Sequence, residues 1–480
     1  MDPLTLHEIA ASCGGRLVQG APEQEVRRVV IDSRQVQPGD LFVAIAGERF
    51  DGHDFATEAV RRGAAALLGE RGKWGGRAGA GALILVEDSR RALAEVAAYH
   101  RLRFRLPVVA VGGSNGKTTN KELIAAALRA RWNTLASEAS FNNAIGVPLT
   151  LLQLGREHQA AVLEAGTNHP GELAPLVRMM APQWGVITSI GREHLEFFGD
   201  LDGVCREEGS LAECLPAGGG LFTGAPAEIT TKLARRTRAR VVRVGWDGGC
   251  QWRAVQCRLA DGGTVFTVAA PSRSYAGECR LRLLGRHQVV NALLALAVAA
   301  ELGVRPEEAR AGLAACLPPK HRLQLWTAGG VRVLDDCYNA NADSMLAALE
   351  TLRDLPGTGR RWAVLGDMAE LGVHAPAMHR EVGVAAARAG LAGLFVIGTH
   401  SGTLAAAATG AGLGHVVPCD SIEAVVTGVI SEVTPGDVVL VKASRSARLE
   451  RVVEALRERL TARSAAGLNG REGRPACCIT

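Results

Sequence analysis

Lysine is scarce in this 480-residue chain. Of its 54 basic residues only six are Lys (Lys73, Lys117, Lys121, Lys232, Lys320 and Lys442), and the other 48 are Arg. A GC-rich coding bias toward Arg, Ala and Gly accounts for the scarcity. It also makes each surviving Lys informative, because a compact ammonium does not replace a planar guanidinium. Charge of one sign is not in excess either. A net +5, with basic residues scattered among acidic ones, argues against a nucleic-acid-binding stripe. No stretch of 18 apolar residues is free of charge, so no membrane insertion is expected. The first eight residues carry neither the basic nor the apolar region of a secretory signal. The 11 cysteines lack framework spacing, which leads to an expectation of reduced cytoplasmic thiols rather than disulfides or zinc. Cys477-Cys478-Ile479-Thr480 matches a prenylation box only formally.

With 47% apolar and 21% charged residues the composition is that of a globular protein. The length allows about three domains at roughly 100–200 residues each. The expected boundaries are 1–86, 87–318 and 319–462, with a disordered tail over 463–480. In the first unit Val29–Ile31, Leu41–Ile45 and Ala82–Val86 read as strands, with turn chemistry at Gln37-Pro38-Gly39-Asp40. In the second and third, strand-like and helical runs alternate, the rhythm of parallel sheets with crossover helices. Residues 240–284 read differently, as an antiparallel patch of short strands.

The strongest chemical signal is Val108-Val109-Ala110-Val111-Gly112-Gly113-Ser114-Asn115-Gly116-Lys117-Thr118-Thr119, a strand, a Gly-rich loop and a helix start. Such a loop lets backbone N–H groups and the helix dipole cradle phosphates. Lys117 would reach the β- and γ-phosphates and the Thr118 hydroxyl would ligate Mg²⁺. The spacing is tighter than a full Walker motif, since Val111 stands where its first Gly would be. Glu164 ends the strand-like run 161–164, and His194 follows another at 185–190. Both positions fall where parallel strands open onto a ligand crevice.

The order of several segments resembles the Mur ligase family. They are Gly113–Thr119, Ser140-Phe141-Asn142-Asn143-Ala144-Ile145-Gly146-Val147-Pro148, Glu164-Ala-Gly-Thr-Asn-His, Glu193-His194-Leu195-Glu196, Gly285-Arg286-His287-Gln288-Val289-Val290-Asn291, Asp335-Asp336-Cys337-Tyr338-Asn339-Ala340-Asn341, Leu365-Gly366-Asp367-Met368-Ala369-Glu370-Leu371-Gly372 and Val441-Lys442-Ala443-Ser444-Arg445. The likeness runs from about residue 5 to 460. It implies an α/β fold of three domains, with a P-loop-type parallel sheet in the centre and a Rossmann-like C-terminal domain. It also implies ATP- and Mg²⁺-dependent amide ligation through an acyl phosphate. The implied partners are UDP-N-acetylmuramoyl-tripeptide and D-alanyl-D-alanine, and the implied enzyme is a cytoplasmic monomer.

By that resemblance Lys117, Glu164 and His194 are the catalytic residues. Gly113, Ser114, Asn115, Gly116, Thr118, Thr119, Asn143, Asn291, Arg322 and Asp336 bind ATP, and Thr118, Glu164 and His194 hold Mg²⁺. Ser33, Arg34, Asn339, Asn341, Lys442, Ser444 and Arg445 bind substrate. The chain departs from the family where members usually carry a carbamylated Lys; here Glu208 stands, and its carboxylate is expected to act as the Mg²⁺ ligand, unless it sits on a solvated helix face. Gln288 and Ala342 are milder departures. A sister amide ligase with another substrate and a non-catalytic nucleotide-binding module remain as alternatives.

Overall fold

The computed structural model describes residues 1–74, 81–260 and 262–469. Three main sheets follow one another along the chain. The first has five strands, in the order Arg16–Gln19, Ala82–Val86, Ala66–Glu70, Leu41–Val43, Val29–Val30, and is parallel except for the Arg16–Gln19 edge. The second has nine, with Val108–Gly112 near one end between Ala160–Glu164 and Trp184–Ile187, all three parallel. The third has six, parallel except for the Gln324–Ala328 edge.

Around Val108–Gly112 the central sheet is covered on both faces, and the strands Val108–Gly112, Ala160–Glu164 and Trp184–Ile187 are accordingly near-continuous apolar runs. Val109, Val111, Val162 and Val186 point into one core with the helices Lys117–Arg129 and Arg286–Glu301. Val108, Ala110, Leu163 and Ile187 point into the opposite core with Ser89–Leu102, Gly146–Leu151 and Leu173–Met180. The chain leaves Val108–Gly112 and builds first on one side of it, then on the other. That reversal opens a crevice at the carboxyl end of the strand, where ligands of such sheets bind.

The same core holds the first sheet against the second, since Leu41, Leu68 and Ile84 belong to the cluster that contains Val108 and Leu163. On this face buried Arg101 ties the helix Ser89–Leu102 to the helix Leu173–Met180. It donates to Met180 O at 2.9 Å and Ala181 O at 3.1 Å, satisfying carbonyls at the end of the helix Leu173–Met180.

Two sequence expectations are corrected. The antiparallel patch expected over 240–284 is present but excludes its first strand. Arg240–Gly245 pairs in parallel with Gly220–Thr223 and so extends the central sheet, and only Trp252–Ala260, Gly263–Ala269 and Gly277–Leu281 pair antiparallel. The strand Gly220–Thr223 escaped the sequence reading because its four buried residues show no alternation to read. The tail does not begin at 463 either, for the helix Glu450–Asn469 continues past it; residues 470–480, with the prenylation-like Cys477–Thr480, lie outside the described residues. Among the described residues no helix is long and apolar enough to cross a membrane.

Candidate active site

A cavity of about 1210 Å³ opens at the carboxyl end of Val108–Gly112 and is lined by residues from all three sheets' units. Its floor is the phosphate loop. Gly113 and Gly116 have φ of +109° and +86°, and a Cβ on Gly113 would lie 2.4 Å from Thr188 Oγ1. Only glycine fits there. The loop is pinned from the neighbouring strand end. Ser114 N donates to Ser189 O at 2.9 Å, Gly191 N to Ser114 Oγ at 2.8 Å and Asn115 N to Ser189 Oγ at 3.0 Å. Lys117, the first residue of the helix, curls over the loop and donates to Gly113 O at 2.6 Å and Ser114 O at 3.2 Å.

Three buried glutamates surround this lysine. Glu193 Oε2 lies 3.4 Å from Lys117 Nζ. Glu208 Oε2 accepts from Gly113 N at 2.6 Å, and Glu164 Oε1 accepts from Asn142 Nδ2 at 2.8 Å. The remaining oxygen of each, Glu164 Oε2, Glu193 Oε1 and Glu208 Oε1, is buried without a hydrogen-bond partner. Burial, opposed by the charge of Lys117, pushes the Glu208 carboxyl up to about 8. The carboxylates in turn hold the Lys117 ammonium above its ordinary value despite its burial. Even with Glu208 protonated below about pH 8, Lys117 faces the two further carboxylates Glu164 and Glu193, and the orphaned oxygens at this edge are hard donors of the kind Mg²⁺ takes. With Thr118 Oγ1 beside Ser140 Oγ at 3.3 Å, the donor set fits that ion.

The opposite wall comes from the C-terminal unit. Lys442 Nζ pairs with Asp336 Oδ2 at 2.6 Å and donates to Asn339 O at 2.9 Å. Burial raises the Asp336 carboxyl even so, against the pull of Lys442. Arg322 donates to Thr118 Oγ1 at 3.0 Å with its guanidinium 4.2 Å over the Tyr338 ring, and Asn341 Nδ2 donates to Asn115 Oδ1 at 3.0 Å. Half-buried His287 is lowered to about 4 by loss of hydration and by the charge of Lys442.

The structure gathers Ser114, Asn115, Gly116, Lys117, Thr118, Thr119, Asn143, Glu164, His194, Asn291, Arg322, Asp336, Asn339, Asn341 and Lys442 around this cavity. Asn291 is already engaged there, receiving from Asn120 Nδ2 at 3.2 Å and donating to Gln288 Oε1 at 2.9 Å. Ser33, Arg34, Ser444 and Arg445 are not on its wall. Arg34 is exposed and paired with Asp32, and Ser444 Oγ is spent on Ala340 O and Ala369 N. Gly113 and Glu208 lie just behind the wall, and the solvated-face reading of Glu208 is overturned by its 1% exposure. Exposed Lys320 does not reach the cavity. Sequence reasoning assigned no role to Glu193, Asn142, Arg192 or Glu370. Asn142, Glu193 and Glu370 were inside the motif segments, so their carboxylate or amide chemistry beside a phosphate loop was the available signal.

Comparison with known proteins gives this architecture a family. The Mur ligase middle domain matches residues 111–299, the Mur ligase glutamate ligase domain 321–445 and the Mur ligase family catalytic domain 25–101. The chain belongs to the Mur ligase family. Within it, the chain is 37% identical to the UDP-N-acetylmuramoyl-tripeptide–D-alanyl-D-alanine ligase of Escherichia coli, over 95% of this chain and 99% of that protein. It is 36% identical to the ligase of the same name from Mycobacterium tuberculosis, over 95% and 98%. Among solved structures it is similar to MurF from Acinetobacter baumannii, with a TM-score of 0.86 and 30% identity over 95% of this chain and 99% of that one. A MurF ligase from Thermotoga maritima in complex with ADP gives 0.80 and 29%, over 91% and 99%.

Proposed function

We propose that the protein joins D-alanyl-D-alanine to UDP-N-acetylmuramoyl-tripeptide at the expense of ATP, with Mg²⁺, in the cytoplasm. The observation that carries this reading is the phosphate loop itself, with Lys117 over it and three glutamates around it, at the floor of a cavity that all three units line. The full-length similarity to ligases of that name supports the choice of substrates, and the nine free cysteines among the described residues fit a reducing compartment.

In this reading the loop N–H groups and Lys117 hold the triphosphate, and the reaction is mostly positioning and charge neutralisation. Lys117 leaves its loop carbonyls for the β- and γ-phosphates. Glu164, Glu193 and Thr118, with His194, would hold Mg²⁺, which supplies positive charge against the crowded phosphate and carboxylate oxygens. Arg322, whose guanidinium already reaches Thr118, adds a second cation from the C-terminal unit. The tripeptide carboxylate takes the γ-phosphoryl group, the dipeptide amine attacks the acyl phosphate, and phosphate departs as the amide forms. Glu208 holds the start of the loop through Gly113 N. Residues 1–86 would carry the uridine diphosphate end, 87–318 the ATP and 319–462 the dipeptide.

The test is ADP release with UDP-N-acetylmuramoyl-tripeptide bearing either diaminopimelate or lysine. Release that requires D-alanyl-D-alanine, and a product heavier by that dipeptide, is the expected result. Release that instead requires a single amino acid, or no amine at all, overturns the reading.

A further inference from the structure

The helix that follows His194 belongs to two units at once. Leu195–Phe198 is connected to the central sheet, yet Leu195 and Phe198 are buried in the core of the C-terminal unit with Met368 and Leu371. Backbone contacts tie it there as well, with Glu196 N donating to Glu370 O at 3.1 Å and the His374 ring 2.9 Å from Gly199 O. On the other flank, Arg192 is clamped from the same unit. Its backbone N and its guanidinium donate to Asp343 at 2.8 and 2.6 Å, and its guanidinium also meets Glu381 at 2.5 Å. The stretch 192–199 is therefore held by the C-terminal unit on both sides of His194.

His194 itself is held by a single side chain from that unit. Its Nδ1 hydrogen-bonds to Glu370 Oε2, and its Nε2 stands 3.8 Å from Glu193 Oε2 at the cavity. Both partners sit in left-handed backbone conformations, His194 with φ +47° and Glu370 with φ +58°. Such conformations are costly for residues other than glycine and persist where surrounding contacts over-determine them. Two loops from different units thus each accept an unfavourable conformation at the residue through which they meet. A histidine whose Nδ1–H donates to a carboxylate keeps a fixed ring orientation and offers Nε2 as an acceptor.

We propose that Glu370 is the positioning residue for His194. Contributed across the domain interface, it sets the imidazole with Nε2 toward the phosphate-loop carboxylates, so that the site is complete only when the C-terminal unit is docked. This rests on the ligase reading for its kinetic consequence but not for its metal-binding consequence. Glu370 lies 42% exposed at its side chain, so removing it leaves no core cavity.

The experiment compares Glu370→Ala and Glu370→Gln with the wild-type enzyme. Mn²⁺ is titrated into the protein with ADP and followed by electron paramagnetic resonance, and kcat and KM are measured in parallel. Glu370→Ala is expected to weaken Mn²⁺ binding and to lower kcat, each by about 10–100-fold, with KM for ATP changed by no more than about threefold. Glu370→Gln still accepts from Nδ1–H and is expected to stay within about threefold of wild type in both readouts. Wild-type Mn²⁺ affinity and kcat in Glu370→Ala overturn the proposal, as does a Gln variant that falls as far as the Ala variant. If the wild-type enzyme makes no ligation product, the substrate assignment fails, and the Mn²⁺ titration still decides the role of Glu370.

Discussion

Two lysines, Lys442 buried and Lys117 half-buried, line the cavity, and their surroundings differ in kind. Lys442 has one carboxylate, Asp336, at 2.6 Å, and the pair is closed by Asn339 O. Lys117 has three, Glu164, Glu193 and Glu208, each with an oxygen left without a partner. The first is a finished ion pair, balanced within the fold. The second is a charge deficit, and what restores the balance must come from outside the chain. The contrast separates a lysine that builds the wall from a lysine whose surroundings fit the chemistry proposed for it.

The largest effect that would break this contrast is on turnover. Lys117→Ala is expected to reduce ligation by at least about 10³-fold, because it removes the cation nearest the phosphates in a reaction that runs on charge stabilisation. Product formation measured by mass, with ADP release alongside, checks it. Near-wild-type turnover would place the chemistry elsewhere.

Next comes the finished pair. Lys442→Met leaves Asp336, half-buried on the cavity wall, with Leu323 N at 3.1 Å and the charge of Arg322 for company. Breaking a buried pair in this way costs about 3–5 kcal/mol, to be read from urea unfolding. The double variant Lys442→Met/Asp336→Leu should regain most of that loss, since an apolar replacement leaves no uncompensated charge. No recovery in the double variant would mean that the lysine stabilises through Asn339 rather than through Asp336.

A third effect concerns the glutamates around Lys117. Glu208 is easier to protonate in the fold, at about 8, than in the unfolded chain, whose value is near 4.5. Its contribution to stability is therefore complete below about pH 4.5, is lost as pH rises toward 8, and is flat above that. Glu208→Gln keeps an acceptor for Gly113 N and removes the titration. The stability of wild type minus that of the variant should fall between pH 5 and 8 in metal-free buffer, by at most about 1.4 kcal/mol per pH unit. Taking the difference cancels the histidines His100, His287 and His379, whose lowered values act with the opposite sign. A flat difference would show that Glu208 is ionised throughout the range.

How much of this was legible in the sequence follows the range of the interactions. The phosphate loop was legible because strand, glycines, lysine and helix lie within twelve consecutive residues, and local chemistry alone defines their task. The parallel sheets were legible from the alternation of apolar strands with helices. What escaped was set by packing over long separations. Glu193 and Glu208 meet Lys117 from 76 and more residues away, and Glu370 meets His194 across 176. Ser33 and Ser444 read as binding groups in their motifs, but the fold keeps Ser33 buried away from the cavity wall and uses Ser444 to brace a loop. A hydroxyl in a motif segment carries no mark of which of these it will do.

The smallest effect belongs to a lysine on neither side of the cavity. Lys232 pairs with Asp202 at 2.6 Å, with both side chains more than half exposed, so the pair is solvated and screened. Lys232→Ala should leave both unfolding stability and turnover at the wild-type level, and Lys232→Arg should be silent in both. The same Lys→Arg exchange at position 117 keeps the charge but puts a planar fork where the loop admits a compact ammonium between Gly113 O and Ser114 O. It should lose most of the turnover that Lys117→Ala loses. If arginine serves equally well at 117 and 232, lysine persists in this arginine-rich chain by chance. If only position 232 tolerates it, lysine 117 is kept for the shape of its charge.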